Sequence, residues 1–314
     1  MSNPSSDSSS IDATLAQPSL QADQVDFSNS EKVVEFEDVS LGYGSRIVLS
    51  GVNLSIHQGQ LIALIGGSGS GKSTILRGVT GQIRPKAGVV KLFSQVSNVI
   101  STKELSELRK KMGVLFQQGA LFTDLNTFEN VAYPLRELTQ MDEAQIVDRV
   151  LEKLSAVGLK AAAHLNISEV SGGMARRIAL ARAIVMEPEL LLYDEPFAGL
   201  DPISMNQTAN MLRGITKQLG TAGLLITHDI EESFRIVDYV YMLHQGAIIA
   251  EGTPAEIRAM DDQRVQNFIK GLPPEDGARF EYPSTPDYES WYAEKQRQLA
   301  HHKQSSSKVR GRDV

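Results

Sequence analysis

Gly66-Gly67-Ser68-Gly69-Ser70-Gly71-Lys72-Ser73-Thr74 is the stretch that decides the fold of this 314-residue chain. An apolar run over residues 61–65 precedes it, and a stretch with helical character over residues 74–79 follows it. A strand, a glycine-rich turn and a helix, in this order, are what a phosphate-binding loop requires. The glycines allow several backbone amides to point at one anion, and the start of the helix adds its positive dipole end.

Two side chains of this loop have predicted roles of their own. Lys72 would reach the β- and γ-phosphates of a nucleotide, and the Ser73 hydroxyl would ligate Mg²⁺. The alternative is a flexible Gly/Ser turn without a ligand, which the full motif spacing and the flanking strand and helix disfavour. We therefore expect the loop to hold a polyphosphate.

Composition limits the classes of protein to which the chain can belong. Hydrophobic residues make up 41% of the sequence and charged residues 22%, which is typical of globular proteins. No apolar run approaches the roughly 18 residues of a membrane span, and we identify no secretory signal. Cysteine is absent, which excludes disulfides and cysteine metal sites. The formal net charge of -7 argues against a general nucleic-acid binder, so we expect no nucleic-acid partner.

A second motif combines a buried strand with two acids. After Glu189, residues 190–193 form an apolar run that ends in Asp194 and Glu195. A continuous apolar run is typical of a strand buried on both faces, and ligands of open α/β sheets bind beyond the carboxyl ends of such strands. Asp194 would hold Mg²⁺, and Glu195 would orient and activate the attacking water. The alternative is a loop with solvated acids, which the presence of a phosphate loop upstream disfavours.

Two further side chains are ambiguous when each is taken alone. Tyr43 lies between two glycines, where a turn aromatic without a ligand is favoured over a platform for a flat base. Gln117 follows the predicted strand over residues 112–116, where a polar amide marks either a site or a solvated turn.

Two more candidates stand at the start of a helix and at the end of a strand. Ser171-Gly172-Gly173 opens a helix, either with an ordinary N-cap or with a second set of exposed amides for an anion. His228 follows the predicted strand over residues 223–227, where it is either a plain polar residue or a hydrogen-bond partner of a γ-phosphate.

A packing helix begins at Asp142, where the sequence has a capping-box pattern. Helical spacing predicts that Val147, Val150, Leu151 and Leu154 point inward. We interpret this segment as part of the core and assign it no chemistry.

Taken together, these motifs and their order resemble the ATPase subunits of ABC transporters from about Val33 to Gly271. The resemblance implies ATP and Mg²⁺ as cofactors. It gives each residue a family role: the Walker A loop at Gly66, Gly67, Ser68, Gly69, Ser70, Gly71, Lys72, Ser73 and Thr74, adenine stacking at Tyr43, the Q-loop at Gln117, the signature motif at Ser171, Gly172 and Gly173, Walker B at Asp194, the catalytic glutamate at Glu195, the D-loop at Asp201 and the switch histidine at His228.

The family also implies which of these residues act together. Glu195, His228 and Gln117 form the catalytic set, and Ser73, Gln117 and Asp194 hold the metal. The signature residues touch the γ-phosphate held by the opposite subunit, so a second copy of the chain is an expected partner.

The fold that the resemblance implies is an α/β P-loop NTPase. It has a mixed-sheet core, a helical subdomain at about 118–185 and an antiparallel β subdomain. We expect the ATPase domain to span residues 31–271. A disordered tail would precede it over 1–30, and a partly disordered extension would follow it over 272–314.

Within the family, the chain is similar to the ATPases of Mce-type lipid transporters of Gram-negative bacteria, the Mla system in particular. This likeness rests on Met174, which replaces the common glutamine of the signature, and on the stretches over residues 119–124 and 130–137. It implies phospholipid movement between the inner and outer membranes that maintains lipid asymmetry. An importer or exporter of another small substrate is the alternative.

The expected partners follow from the same likeness. They are an integral-membrane permease, a substrate-binding Mce-domain subunit and a small cytoplasmic STAS-domain subunit. The expected location is the cytoplasmic face of the inner membrane, where the permease would anchor the chain.

Overall fold

The computed structural model describes residues 27, 29–273 and 288–298. Two compact units divide the chain, Met1–Lys270 and Gly271–Val314, and each is described by itself. Most of the predicted tail over 1–30 and most of the predicted extension over 272–314 lie outside the described residues.

Ten strands lie within the described residues of the first unit: β1 Lys32–Tyr43, β2 Arg46–His57, β3 Leu61–Gly66, β4 Ala87–Leu92, β5 Gln95–Val96, β6 Met112–Leu115, β7 Leu190–Asp194, β8 Ala222–Ile226, β9 Tyr239–His244 and β10 Ala247–Gly252. Nine α-helices accompany them: α1 Lys72–Val79, α2 Thr102–Lys110, α3 Thr127–Leu138, α4 Glu143–Ala156, α5 Gly172–Ile184, α6 Pro202–Leu219, α7 Ile230–Ile236, α8 Pro254–Ala259 and α9 Gln263–Ile269.

A six-stranded mixed sheet forms the centre of this unit, in the order β10-β9-β3-β8-β7-β6. Strands β9, β3, β8, β7 and β6 run parallel, and β10 pairs antiparallel with β9. The continuous apolar runs of β3 and β8 are buried along their whole length, as expected for parallel strands covered on both faces. The predicted mixed-sheet core is confirmed.

A four-stranded antiparallel sheet, in the order β2-β1-β4-β5, forms a second layer. Strand β1 pairs with β2 through a tight turn in which Tyr43 faces Arg46. The predicted antiparallel β subdomain is therefore confirmed.

Strand β3 separates the two hydrophobic cores. Leu61, Ala63 and Ile65 belong to the core beneath the helices. Ile62 and Leu64 belong to the core shared with the antiparallel sheet. Because successive side chains of a strand point to opposite faces, β3 lies between the two layers, and the glycine-rich loop emerges at its carboxyl end.

A buried ion pair fixes the amino end of β3. The Asp238 carboxylate accepts two hydrogen bonds from Arg213 at 2.8 and 2.7 Å, and it also accepts one from the Leu61 amide at 2.8 Å. This bidentate pair joins α6 to the start of the strand that carries the loop.

Helices α3, α4 and α5 pack against one another. Helix α4 begins with the predicted capping box at Asp142, but the prediction for Val147 is wrong because this side chain is 38% exposed. Ile146, Val150 and Leu154 form the buried stripe. The stripe faces α3 and α5, because α4 packs against both of these helices.

Residues 288–298, in the second unit, are helical and exposed. Tyr288 lies with its ring centroid 6.0 Å from that of Trp291 and 5.8 Å from that of Tyr292. Across the described ranges, we find no helix with the length and apolar character needed to traverse a bilayer.

Candidate functional site

The glycine-rich loop joins β3 to α1 through a backbone that other residues adopt poorly. Gly66 has a φ of +152°, and a Cβ added there would lie 2.2 Å from the Leu243 carbonyl oxygen. Gly71 has a φ of +111° and occupies the N-cap of α1 without any side-chain cap. Glycine is required where L side chains cannot follow the chain, so the loop closes tightly against β9.

The amides of this loop are available to a ligand. Within the described part of the chain, the N–H groups of Ser68 and Gly69 and those of residues 71–73 donate to no protein acceptor. No atom lies within 4 Å of a Cβ added at Gly67 or Gly69, so there is open space beside them. Unpaired amides at the start of a helix form an anion site.

The Lys72 ammonium lies inside this loop. Its Nζ donates to the Gly66 carbonyl at 2.7 Å and to the Gly67 carbonyl at 3.1 Å. Burial lowers the pKa of Lys72, and the charges of Glu195 and Asp194 oppose that shift. Burial likewise raises the pKa of Asp194, and the Lys72 charge opposes it. The ends of β3 and β7 therefore bring opposite charges together in a partly dehydrated space, where Coulomb interactions are strong.

Glu195 and His228 meet across the ends of β7 and β8. His228 Nδ1 donates to Glu195 Oε2 at 2.8 Å. The other ring nitrogen, Nε2, takes no part in this hydrogen bond. The Glu195 amide donates to the Ile226 carbonyl at 2.8 Å, and Glu195 has a φ of +48°. A positive φ at a residue other than glycine is strained, and such strain is concentrated at functional sites.

Asp229 joins this pair. Ligand atoms of Glu195, His228 and Asp229 all lie within 4.8 Å of one another. Sequence reasoning assigned no role to Asp229, although it directly follows His228. The end of β8 therefore adds a second carboxylate beside the strained glutamate.

Tyr43 lies at the end of β1 and is 40% exposed. Arg77 of α1 donates to its hydroxyl at 3.0 Å, and the guanidinium carbon lies 5.5 Å from the ring centroid. This cation–π contact holds the ring beside the helix that follows the phosphate loop. The sequence did not predict this role of Arg77, because no local pattern connects Arg77 to Tyr43.

A hairpin supports the loop from behind. The Gly246 amide, between β9 and β10, donates to the Ser70 carbonyl at 3.2 Å, and the Gly246 carbonyl accepts from Ser50 at 3.1 Å. Gly246 has a φ of +83°, and a Cβ there would lie 2.2 Å from the Val48 carbonyl oxygen. No local pattern in the sequence indicates this contact between the hairpin and the phosphate loop.

The other sequence-predicted residues lie on different elements. Gln117 is exposed just after β6, the neighbour of β7. Ser171 caps α5, and its Oγ accepts from the Met174 amide at 3.2 Å. Gly172 and Gly173 are exposed with open space around them. Among the described residues, no hydrogen bond or ion pair joins the 171–173 helix start to the phosphate loop of its own chain.

The donor atoms fit a nucleotide and a divalent cation. Free amides and an ammonium group suit phosphate oxygens. The Ser73 hydroxyl and the Asp194 carboxylate are oxygen ligands of the kind that Mg²⁺ prefers. A phosphate loop between strand and helix, with acids at the end of a parallel strand of the same sheet, defines the class of P-loop nucleoside triphosphatases.

Comparison with known proteins identifies the family. The family model for ABC transporters matches residues 49–198. The intermembrane phospholipid transport system ATP-binding protein MlaF of Haemophilus influenzae is 43% identical over 256 residues, which are 81% of this chain and 96% of that protein. MlaF of Escherichia coli K12 is 42% identical over 253 residues, 80% of this chain and 93% of that protein. The chain belongs to the ABC transporter family, as an ATP-binding subunit that hydrolyses ATP.

Solved structures agree with this assignment. CbiO1 of Clostridium perfringens, part of the ABC transporter complex cbiONQ, superposes with a TM-score of 0.69 at 28% identity, over 76% of this chain and 96% of that chain. The ATP-binding cassette MJ0796, a dimer in a post-hydrolysis state with ADP and Pi, gives a TM-score of 0.64 at 30% identity. The match covers 70% of this chain and 98% of that chain.

Replacing the loop lysine tests the phosphate site. We expect Lys72→Ala to weaken ATP binding by about 1.5–3 kcal/mol, because a charge-assisted hydrogen bond to phosphate is lost. Titration with a fluorescent ATP analogue measures the effect. The control is Lys110→Ala, which removes only the surface ion pair with Glu107. Equal affinities of the two variants would contradict the assignment of Lys72.

Replacing the hairpin glycine tests the support behind the loop. We expect Gly246→Ala to weaken ATP binding by about tenfold, because about 1–3 kcal/mol of backbone strain displaces the hairpin from Ser70. Gly220→Ala is the matched control, since Gly220 also has a positive φ, +60°, but open space around it. If both variants bind ATP alike, the hairpin does not position the loop.

Proposed function

We propose that this chain is the ATPase subunit of a bacterial transporter that moves phospholipid between the inner and outer membranes and so maintains outer-membrane lipid asymmetry. One observation carries the proposal: the chain matches proteins named for intermembrane phospholipid transport at 43% identity over 96% of their length. Met174, in which the sequence resembles this branch, lies on α5. The two stretches that share this resemblance, 119–124 and 130–137, lie before α3 and within it.

The residues at the strand ends have separate roles in hydrolysis. Lys72 and the loop amides hold the β- and γ-phosphates, and Tyr43 stacks on the adenine. Ser73, Gln117 and Asp194 hold Mg²⁺, which offsets the charge of the phosphates when it is bound. Glu195 accepts a proton from the attacking water, and His228 keeps the carboxylate oriented through the 2.8 Å hydrogen bond.

A second copy of the chain completes each site. Ser171, Gly172 and Gly173 present exposed amides at the start of α5, which suits contact with a γ-phosphate held by the partner. Such contacts favour the closed dimer only while the triphosphate is intact, because a ligand shifts an equilibrium through its differential affinity for the two states. Hydrolysis then allows the dimer to open.

The segment after Gln117 would face the permease. Phe122 and Tyr133 are exposed there with ring centroids 4.8 Å apart. The fully buried Asn130 fixes this segment, since its amide exchanges hydrogen bonds with both backbone groups of Phe122 at 2.9 and 3.0 Å. A permease of the inner membrane would hold the chain at the cytoplasmic face, together with Mce-domain and STAS-domain subunits.

Replacing the catalytic glutamate tests the reaction. We expect Glu195→Gln to bind ATP but to lose roughly 10²–10⁴-fold in turnover, the usual contribution of a positioned base. Phosphate release from the purified complex measures it. Glu189→Gln is the control, because Glu189 lies just before the same strand and pairs only with Lys111 at the surface. Wild-type turnover in Glu195→Gln would refute the assignment.

The substrate is tested by transfer of fluorescent phospholipid between proteoliposomes that hold the complex and acceptor vesicles. We expect ATP-dependent transfer by the wild type and none by Glu195→Gln. A second candidate, another small substrate, rests on the 36% identity with a probable ribonucleotide transport ATP-binding protein of Mycobacterium bovis, which the chain covers over 66% of its length. ATP hydrolysis stimulated by a ribonucleotide, without lipid transfer, would favour that candidate.

A further inference from the structure

Arg176 connects two parts of the site that lie far apart in the sequence. It sits on α5, little more than one turn after Ser171, and its Nη2 donates to the Ala198 carbonyl at 2.8 Å. The Ala198 amide in turn donates to the Glu195 carbonyl at 3.3 Å. The guanidinium therefore holds the turn that begins at the strained catalytic glutamate.

The same turn leads to the next helix. Asp201 caps α6, and its Oδ1 accepts from the amides of Ile203 and Ser204 at 3.0 and 3.1 Å. The segment over residues 195–201 is thus held at Glu195 by β8, at Ala198 by Arg176 and at Asp201 by α6. Of these three contacts, only the one from Arg176 comes from α5, the helix that begins at Ser171.

Arg176 is also incompletely paired. Its Nη1 is buried and has no hydrogen-bond partner among the described residues. Within the same part of the chain it makes no ion pair, whereas the partly buried Arg213 makes a bidentate pair with Asp238. Burial lowers the pKa of Arg176. A buried cation with a free donor is costly unless an acceptor arrives.

Its neighbours on α5 behave differently. Arg177 donates to the Val157 carbonyl at 3.3 Å, at the end of α4. Arg182 donates to the Gly119 and Ala120 carbonyls at 2.7 and 2.9 Å. Both arginines hold segments of the helical layer, so a role near Glu195 is specific to Arg176 among the three.

We propose that Arg176 is a positioning residue that couples the two ATP sites of the dimer. Through Ala198 it holds Glu195, which serves the nucleotide of its own chain, and through α5 it holds Ser171, which serves the nucleotide of the partner. The inference rests on the proposed dimer, in which a second copy of the chain completes each ATP site.

Two variants of the full chain test this coupling, Arg176→Met and its matched control Arg177→Met. For Arg176→Met we expect kcat to fall by about tenfold or more, because a charged hydrogen bond that positions the base is lost. We expect the Hill coefficient for ATP to fall to about 1, the value for independent sites. ATP affinity of the isolated chain, measured with a fluorescent analogue, stays at the wild-type value because Arg176 does not touch its own nucleotide.

Thermal stability separates positioning from simple support. Arg176→Met removes the hydrogen bond to the Ala198 carbonyl and Arg177→Met removes the one to the Val157 carbonyl, so we expect the melting temperatures of the two variants to fall by similar amounts. Arg177→Met should keep the kcat and Hill coefficient of the wild type. Arg176→Lys, which keeps the charge and one donor, should recover part of the cooperativity.

Two outcomes would overturn the inference: wild-type kcat and cooperativity in Arg176→Met, or equal losses of kcat and cooperativity in Arg177→Met. A wild-type chain that neither dimerises with ATP in the Glu195→Gln background nor hydrolyses it would instead refute the proposed function. Sedimentation velocity with and without ATP distinguishes these cases.

Discussion

The structure depends on one constraint, which is that the loop from β3 into α1 leaves the amides of Ser68, Gly69 and residues 71–73 without partners among the described residues. Unpaired backbone N–H groups are costly when buried and are tolerated where a ligand or water can pair with them. Here the glycine conformations at Gly66 and Gly71 turn the backbone away from its own carbonyls. The start of α1 has no side-chain cap, so an anion is the natural partner of the loop.

The charges around the loop follow from this constraint. Lys72 and Asp194 are each partly buried, and burial alone shifts the pKa of each toward its neutral form. The charges of Glu195 and Asp194 oppose the shift of the Lys72 pKa, and the Lys72 charge opposes the shift of the Asp194 pKa. Polyphosphate brings further negative charge to this place, and a divalent cation offsets it. The oxygen ligands of Ser73 and Asp194 fit such a cation.

The rest of the fold anchors this loop from two sides and leaves the helix start at Ser171 on the surface. The loop is anchored through β3 between two cores and through Gly246 from behind. The Ser171 helix start belongs to the layer of α3, α4 and α5. In the proposed dimer one chain would carry two half-sites, and Arg176, which lies on the helix of one and donates to the turn of the other, would connect them.

The sequence by itself determined the elements whose signals are local. The phosphate loop, the apolar strand before Asp194 and the cap at Asp142 each follow from backbone preferences and periodicity within a few residues. Tertiary structure alone decided which face of α4 is buried, as Val147 demonstrates, because that depends on the neighbouring helices. It also decided the contacts of Tyr43 with Arg77, of Ser70 with Gly246 and of Ala198 with Arg176. Their partners come from distant parts of the chain, and only the order of strands and the packing of layers brings them together.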